Sequence, residues 1–157
     1  MSEGPSLLPE GADLVAYLND HAGGYVRAMG LRFTRIDEDE VVCEVPVGPH
    51  LEQPYGIVHG GVYSTIAETC ASVGAGVWAL RRGRTVVGLE NSTSFIRAVR
   101  SGVLHGVGRP LHRGRATHVW DIVITDDEGR TAATGRVRMM CLDPGATIAG
   151  ETVEIRG

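Results

Sequence analysis

The spacing of apolar residues changes several times along the chain, and each change marks a different element. Residues 1–9 carry no period and read as a tail. From Ala12 to Met29, Leu14, Val15, Leu18, Tyr25, Val26 and Met29 fall at helical spacing, interrupted by Gly23-Gly24. The period then shortens. Residues 31–36 (LRFTRI) and 41–47 (VVCEVPV) alternate or run apolar around Asp37-Glu38-Asp39-Glu40, which predicts a hairpin with a solvated acidic turn. Pro49, Pro54 and Gly56 make the stretch from His50 to Val58 a predicted loop.

Residues 62–80 form the one long helical segment. Val62, Ile66, Cys70, Val73, Val77 and Leu80 recur every three or four positions as an apolar stripe. Ala67, Ala71, Gly74 and Ala75 add small residues that let other backbone approach, and Arg81-Arg82-Gly83 ends the helix. Strand-like segments follow at 85–99, 102–113, 117–125 and 131–142, with a turn at Asp126-Asp127-Glu128-Gly129. The expected fold class is α+β: one central helix on a curved antiparallel sheet of five or six strands. Its expected divisions are an N-terminal tail and helical segment (1–29), a domain (30–143) and a C-terminal tail (144–157).

A chain of 157 residues, 43% hydrophobic and 22% charged, suits one domain with a core that needs neither disulfide nor metal. Aromatic residues are only 5%, so aliphatic side chains and the 22 glycines must fill that core. A formal net charge of −4 argues against a nucleic-acid partner. All fifteen basic residues are Arg, which codon bias explains better than function. Cys43, Cys70 and Cys141 are isolated, pointing to a reducing compartment. The acidic N-terminus lacks signal-peptide character, and no apolar run reaches the roughly 20 residues of a membrane span. A soluble cytoplasmic protein without membrane attachment is expected.

The chemistry concentrates between Gln53 and Ser72. Gly60 and Gly61 open the long helix, whose first turn offers free N–H groups and partial positive charge. Without side chains there, a carbonyl can approach those donors, as an oxyanion hole requires. Gln53 either adds a side-chain amide to the same oxygen or orients the substrate. Glu68 is an acid in an apolar helix, where burial needs a partner or a purpose; the alternative is a surface Glu facing solvent. Ser72, one turn on, is placed to bond the carboxylate or a water. Eight residues put Glu68 about 12 Å along the axis from Gly60, so one chain does not easily bring both to one carbonyl. Two antiparallel copies related by a two-fold axis would, with two sites per dimer.

The stretch Gly56-Ile-Val-His-Gly-Gly-Val-Tyr with Glu68 resembles the hotdog-fold acyl-CoA thioesterases of the phenylacetate and 4-hydroxybenzoyl-CoA type, most closely the glutamate-using kind. Two further blocks, Val87-Gly88 through Asn91 to Arg97 and His112 through Trp120-Asp121 to Arg130, extend the resemblance over about residues 30–142. It implies a hotdog fold, dimeric or tetrameric, and hydrolysis of an aryl- or short- to medium-chain acyl-CoA to free acid and CoA. The implied catalytic set is Gly60, whose amide polarises the carbonyl, Glu68 as nucleophile or activator of water, Gln53 and Ser72. CoA phosphates fall to Arg97 first and to Arg113 and Arg115 more weakly. No cofactor is implied, since CoA belongs to the substrate, and the active sites lie at subunit interfaces of a homo-oligomer. Three departures bear on the substrate: Ser72 stands for a Thr, Arg115-Ala116 for small hydroxyl residues, and Tyr55 and the N-terminal segment differ. The 4-hydroxybenzoyl group is therefore not assumed.

Other signals carry less. His59 reads as a loop-holding residue, no G-x-S-x-G elbow surrounds a Ser, and the six histidines form no metal-binding spacing. Gly106-Val107-Gly108 reads as a strand bend or a close approach of backbone. Two other functions stay open: a hydratase or dehydratase of acyl thioesters, and a non-catalytic acyl-CoA-binding module.

Overall fold

The computed structural model describes Leu8, Gly11 and residues 13–152, so most of the predicted tail lies outside the described residues. The first helical segment is two helices, α1 (Leu14–Asp20) and α2 (Gly24–Met29), parted at the predicted glycines. Asp13 starts α1 by accepting the N–H groups of Val15 and Ala16, and left-handed Gly30 ends α2. Asn19 stitches α1 to the sheet: its amide donates to the Phe33 carbonyl (2.9 Å) and accepts from the Phe33 N–H (2.8 Å).

Strands β1 (Arg32–Ile36) and β2 (Val41–Pro46) form the predicted hairpin. Its acidic turn is not merely solvated. Arg35 pairs with Asp37, Arg81 with Glu38 (2.8 Å), Arg113 with Asp39 (2.6 Å) and Arg109 with Glu40. The turn thus clamps the end of the long helix and a neighbouring strand. The predicted loop contains a short ladder, β3 (Glu52–Gln53) with β4 (Ile57–Val58), turned at Gly56, whose φ of 66° suits glycine.

The long helix α3 (Gly60–Leu80) precedes β5 (Thr85–Phe95), β6 (Val103–Arg113), β7 (Thr117–Thr125) and β8 (Thr131–Leu142). Together with β1 and β2, these four strands form one antiparallel six-stranded sheet in the order β1-β2-β6-β7-β8-β5. Strand β5 stops four residues short of the prediction because Ile96 and Arg97 both turn their N–H groups onto the Ala132 carbonyl. A two-residue hairpin, β9 (Thr147–Ile148) with β10 (Glu151–Thr152), occupies the predicted C-terminal tail. Among the described residues, no helix is long and apolar enough to cross a membrane.

Helix α3 lies on the sheet through small residues. Ile66, Cys70 and Val77 are buried as the stripe predicts, but Val73 and Leu80 are only half-buried. The inner face is instead completed by Tyr63, Ala67, Ala71, Gly74 and Ala75. The reason is steric. A Cβ on Gly106 would stand 2.6 Å from Ile66, one on Gly135 2.8 Å from Ala67, and one on Gly108 3.0 Å from Cys70. Gly106 and Gly108 therefore mark a close approach between helix and strand. On the helix side, a Cβ on Gly74 would enter the ring of the fully buried Trp120.

This contact has a signed consequence. Gly→Ala inside a helix ordinarily stabilises by about 1 kcal/mol. Gly76→Ala, whose Cβ would meet only Val86 at 3.9 Å, is expected to follow that rule. Gly74→Ala is expected to lower stability by about 1–3 kcal/mol, because Trp120 is enclosed and cannot yield. Urea unfolding of the two variants checks the opposite signs.

Candidate active site

The β3–β4 ladder brings the chain to the N-terminus of α3, where His59 is the cap. Its Nδ1 accepts the Gly61 N–H at 2.9 Å, so the ring proton sits on Nε2 and His59 is spent on holding the turn. The sequence offers two glycine amides as donors, and this bond takes one. The Gly60 N–H has no intrahelical acceptor and is the remaining donor. A Cβ on Gly60 would lie 2.5 Å from the Phe95 ring, so any side chain there would have to push that ring aside.

Gln53, Gly60, Tyr63, Phe95 and Arg97 line one cavity of about 210 Å³, closed further by Ile57, Val58, Ile96 and Ala98. Gln53 Oε1 accepts the Tyr55 N–H (3.2 Å), which leaves the Nε2 group as the donor it can offer. Arg97 is exposed at the cavity and opposes the net negative charge of the chain. A larger hollow of about 330 Å³ lies between the Glu90–Arg138 and Asp121–Arg136 ion pairs. Neither Gly60 nor Glu68 lines it, and its charges are already matched, so size does not make it the reacting site.

Glu68 lies elsewhere on α3, half-buried and facing β5. Asn91 donates from Nδ2 to Glu68 Oε2 (3.1 Å) and to the Ser64 carbonyl (2.9 Å). Thr93 donates to Asn91 Oδ1 (2.6 Å), which sets the orientation of that amide. Opposite the other carboxylate oxygen is Gly88, where any side chain would collide with Glu68 Oε1, beside a register shift between Gly88 and Glu90. The strand is therefore shaped around the carboxylate. Ser72, placed by the sequence to bond the carboxylate or a water, makes no hydrogen bond to Glu68 among the described residues. Asn91 was missed; its signal was an amide, poor at strand formation, inside a strand pattern.

Arg113 and Arg115 stand apart from this region. Arg113 binds the Glu38 carbonyl (2.9 Å) and the Asp39 carboxylate, and the Arg115 carbonyl accepts from Arg84. Both flank the β6–β7 turn, near the C-terminal end of α3, where His118 meets Trp78 edge-on at 4.6 Å.

The sequence profile of the thioesterase superfamily matches residues 55–133, half of the chain and the whole stretch from Gly60 through Asn91. The chain belongs to the thioesterase superfamily. Its relatives include the proofreading thioesterase EntH of Cronobacter turicensis, 42% identical over 73% of this chain and 83% of that protein. The putative esterase Rv1847 of Mycobacterium tuberculosis is 42% identical over 73% of this chain and 84% of its own length. Thioesterase HI1161 of Haemophilus influenzae superposes with a TM-score of 0.77 at 31% identity, covering 82% of this chain and 90% of that one. The sheet wrapped around α3 is accordingly the hotdog fold of these thioesterases.

The arrangement holds an amide without an intrahelical acceptor and a half-buried carboxylate on one helix, about 12 Å apart along its axis. The fit between Gly88 and Glu68 gives a direct check. Gly88→Ala leaves the buried core untouched, since Gly88 is itself exposed and the group its Cβ would meet is the end of the half-buried Glu68 side chain. Its expected effect is a fall in thioester turnover of about tenfold or more from displacing Glu68, with unchanged unfolding midpoint. Steady-state kinetics beside a urea titration measures both.

Proposed function

We propose that this thioesterase hydrolyses an acyl-CoA, aryl or short- to medium-chain, to free acid and CoA at sites shared between two subunits. The observation that carries the reading is the placement of Gly60 and Glu68. The free amide opens into an apolar cavity, while the carboxylate is oriented by Asn91 beside an uncovered sheet edge. Strand β5 is that edge, and Leu89, Phe95 and Ile96 leave apolar surface exposed along it (53%, 58% and 58%). Two antiparallel copies meeting along β5 and α3 would cover this surface and set Gly60 of one subunit opposite Glu68 of the other. Pairing of dimers into a tetramer would leave that site intact.

In this site the Gly60 N–H and the Gln53 Nε2 group bind the thioester oxygen as it gains charge. Glu68 either attacks the carbonyl carbon, expelling CoA thiolate and leaving an acyl anhydride for water to cleave, or takes a proton from the attacking water. Arg97 at the cavity meets a CoA phosphate, for which its planar fork is suited. Arg113 is already committed to Asp39, and Arg115 lies with it, so both are weaker candidates. No cofactor enters this scheme. Three free cysteines support a cytoplasmic setting, the reducing compartment in which a CoA ester would be met. Hydration of an enoyl thioester is disfavoured because His59 caps α3 instead of facing a substrate carbon.

Release of free thiol from a panel of aryl and aliphatic acyl-CoA esters tests the proposal. The native protein is expected to turn over at least one ester, and Glu68→Ala to lower that rate by at least about 10²-fold. Absence of thiol from every ester, or equal rates in the variant, would contradict it. Enoyl consumption without thiol release would assign a hydratase, and binding without either would assign a carrier.

A further inference from the structure

The turn that carries Gln53 is held by a side chain outside the hydrolysis scheme. Pro54 and Tyr55 at its tip are exposed, Tyr55 at 80%, so packing does little to fix them. Hydrogen bonds fix them instead. The Gly56 N–H donates to the Gln53 carbonyl (2.9 Å), closing the turn, and the Tyr55 N–H donates to Gln53 Oε1 (3.2 Å). At its base, the Val58 N–H donates to the Val99 carbonyl (2.9 Å) and the His59 N–H to the Leu51 carbonyl (2.8 Å).

The tip has a further tie. Arg100, in the segment after β5, donates from Nη1 to the carbonyls of both Tyr55 (3.0 Å) and Gly56 (2.9 Å). Two successive carbonyl oxygens thus converge on one cationic nitrogen. Left-handed Gly56 permits that arrangement, and the cation stabilises it, since hydrogen bonds from a charged donor are about twice as strong as neutral ones. Tyr55 is then fixed on both sides: its N–H sets the Gln53 amide and its carbonyl is pinned by Arg100. A backbone N–H only donates, so the Gln53 atom facing it is the oxygen, and Nε2 stays available. Gln53 lines the cavity beside Gly60; Arg100 does not.

We propose that Arg100 is a positioning residue for the carbonyl-binding end of the site: by clamping the Tyr55 and Gly56 carbonyls it holds the Gln53 amide in place for the thioester oxygen. The inference rests on the reading in which Gln53 Nε2 and the Gly60 N–H bind that oxygen. Without the clamp the exposed tip is free to move, and a displaced Gln53 loses most of its worth as a donor, which depends on geometry. Because one nitrogen makes both bonds, a lysine ammonium, a point donor with three N–H groups, serves in its place.

The test measures thiol release by the native enzyme, Gln53→Ala, Arg100→Met, Arg100→Lys and the double variant of Gln53→Ala with Arg100→Met. Each is assayed on the panel ester with the highest kcat/KM and on the pantetheine thioester of the same acid. Gln53→Ala is expected to lower kcat about 10²-fold. Arg100→Met is expected to lower kcat about tenfold or more on both esters, with KM changed less than about threefold and the urea unfolding midpoint unchanged. Arg100→Lys is expected to recover most of that loss. The double variant is expected to match Gln53→Ala within about twofold, since a residue that acts through Gln53 then has nothing left to position. Losses that multiply in the double variant, or native kcat in Arg100→Met, overturn the inference. So does a loss confined to the CoA ester, which would assign Arg100 to a nucleotide phosphate. In these cases turnover that depends on Gln53 and Glu68 would still support the thioesterase site. Native turnover in Gln53→Ala would overturn the role of Gln53 and the inference together.

Discussion

The structure depends on how closely α3 approaches the sheet. Helix and strands meet through positions without side chains: Gly106 against Ile66, Gly108 against Cys70, Gly135 against Ala67, and Gly74 against Trp120. Fully buried Ile122, Ile124, Leu104 and Val137 fill the spaces between. A chain so poor in aromatic residues gains its packing density from proximity more than from bulk. That proximity fixes the height of α3 above the sheet, and every group of the site takes its position from it. At one end Phe95 closes on Gly60; farther along, Gly88 and Asn91 receive Glu68.

On the proposed reading, the same geometry leaves each subunit with half of a site. The free amide and the carboxylate share a rigid helix, which holds them apart while presenting both near the uncovered edge β5. An exposed apolar edge strand invites association, and in this fold the association would also bring the two catalytic halves together. Stability and chemistry would thus depend on one surface. The acidic turn works against the other end of the molecule, where Arg81, Arg109 and Arg113 bind it to α3 and β6. These pairs are mostly exposed and individually weak, and their role is to align elements.

Much of the fold was legible because α3, β7 and β8 combine length with strong periodicity. Strands β7 and β8 run over 117–125 and 131–142, matching the predicted segments. The inner stripe of α3 was misread at Val73 and Leu80, since burial followed the smallest side chains. The β9–β10 hairpin and the β3–β4 ladder are two residues per strand, too short for any period to show. Around the site, the grouping of Gln53 with Gly60 follows from a local loop and was within reach of sequence reasoning. The Asn91 contact was marked only by an amide inside a strand pattern and by no local spacing, because it joins α3 to a strand 23 residues away. Nor could spacing show that His59 would take the Gly61 amide, a matter of one side-chain torsion.

The most direct test of the shared site is complementation between two impaired subunits. Gly60→Val blocks the carbonyl-binding end against Phe95 but keeps Glu68; Glu68→Ala keeps the amide but removes the carboxylate. Each variant alone is expected to be nearly inactive in thioester hydrolysis. Refolded together, mixed dimers would contain one site with both groups intact, and activity should recover to about a quarter of native for random pairing of equal amounts. Failure to recover activity, with mixed dimers demonstrated by differential tagging, would contradict a site built from Gly60 of one subunit and Glu68 of its partner.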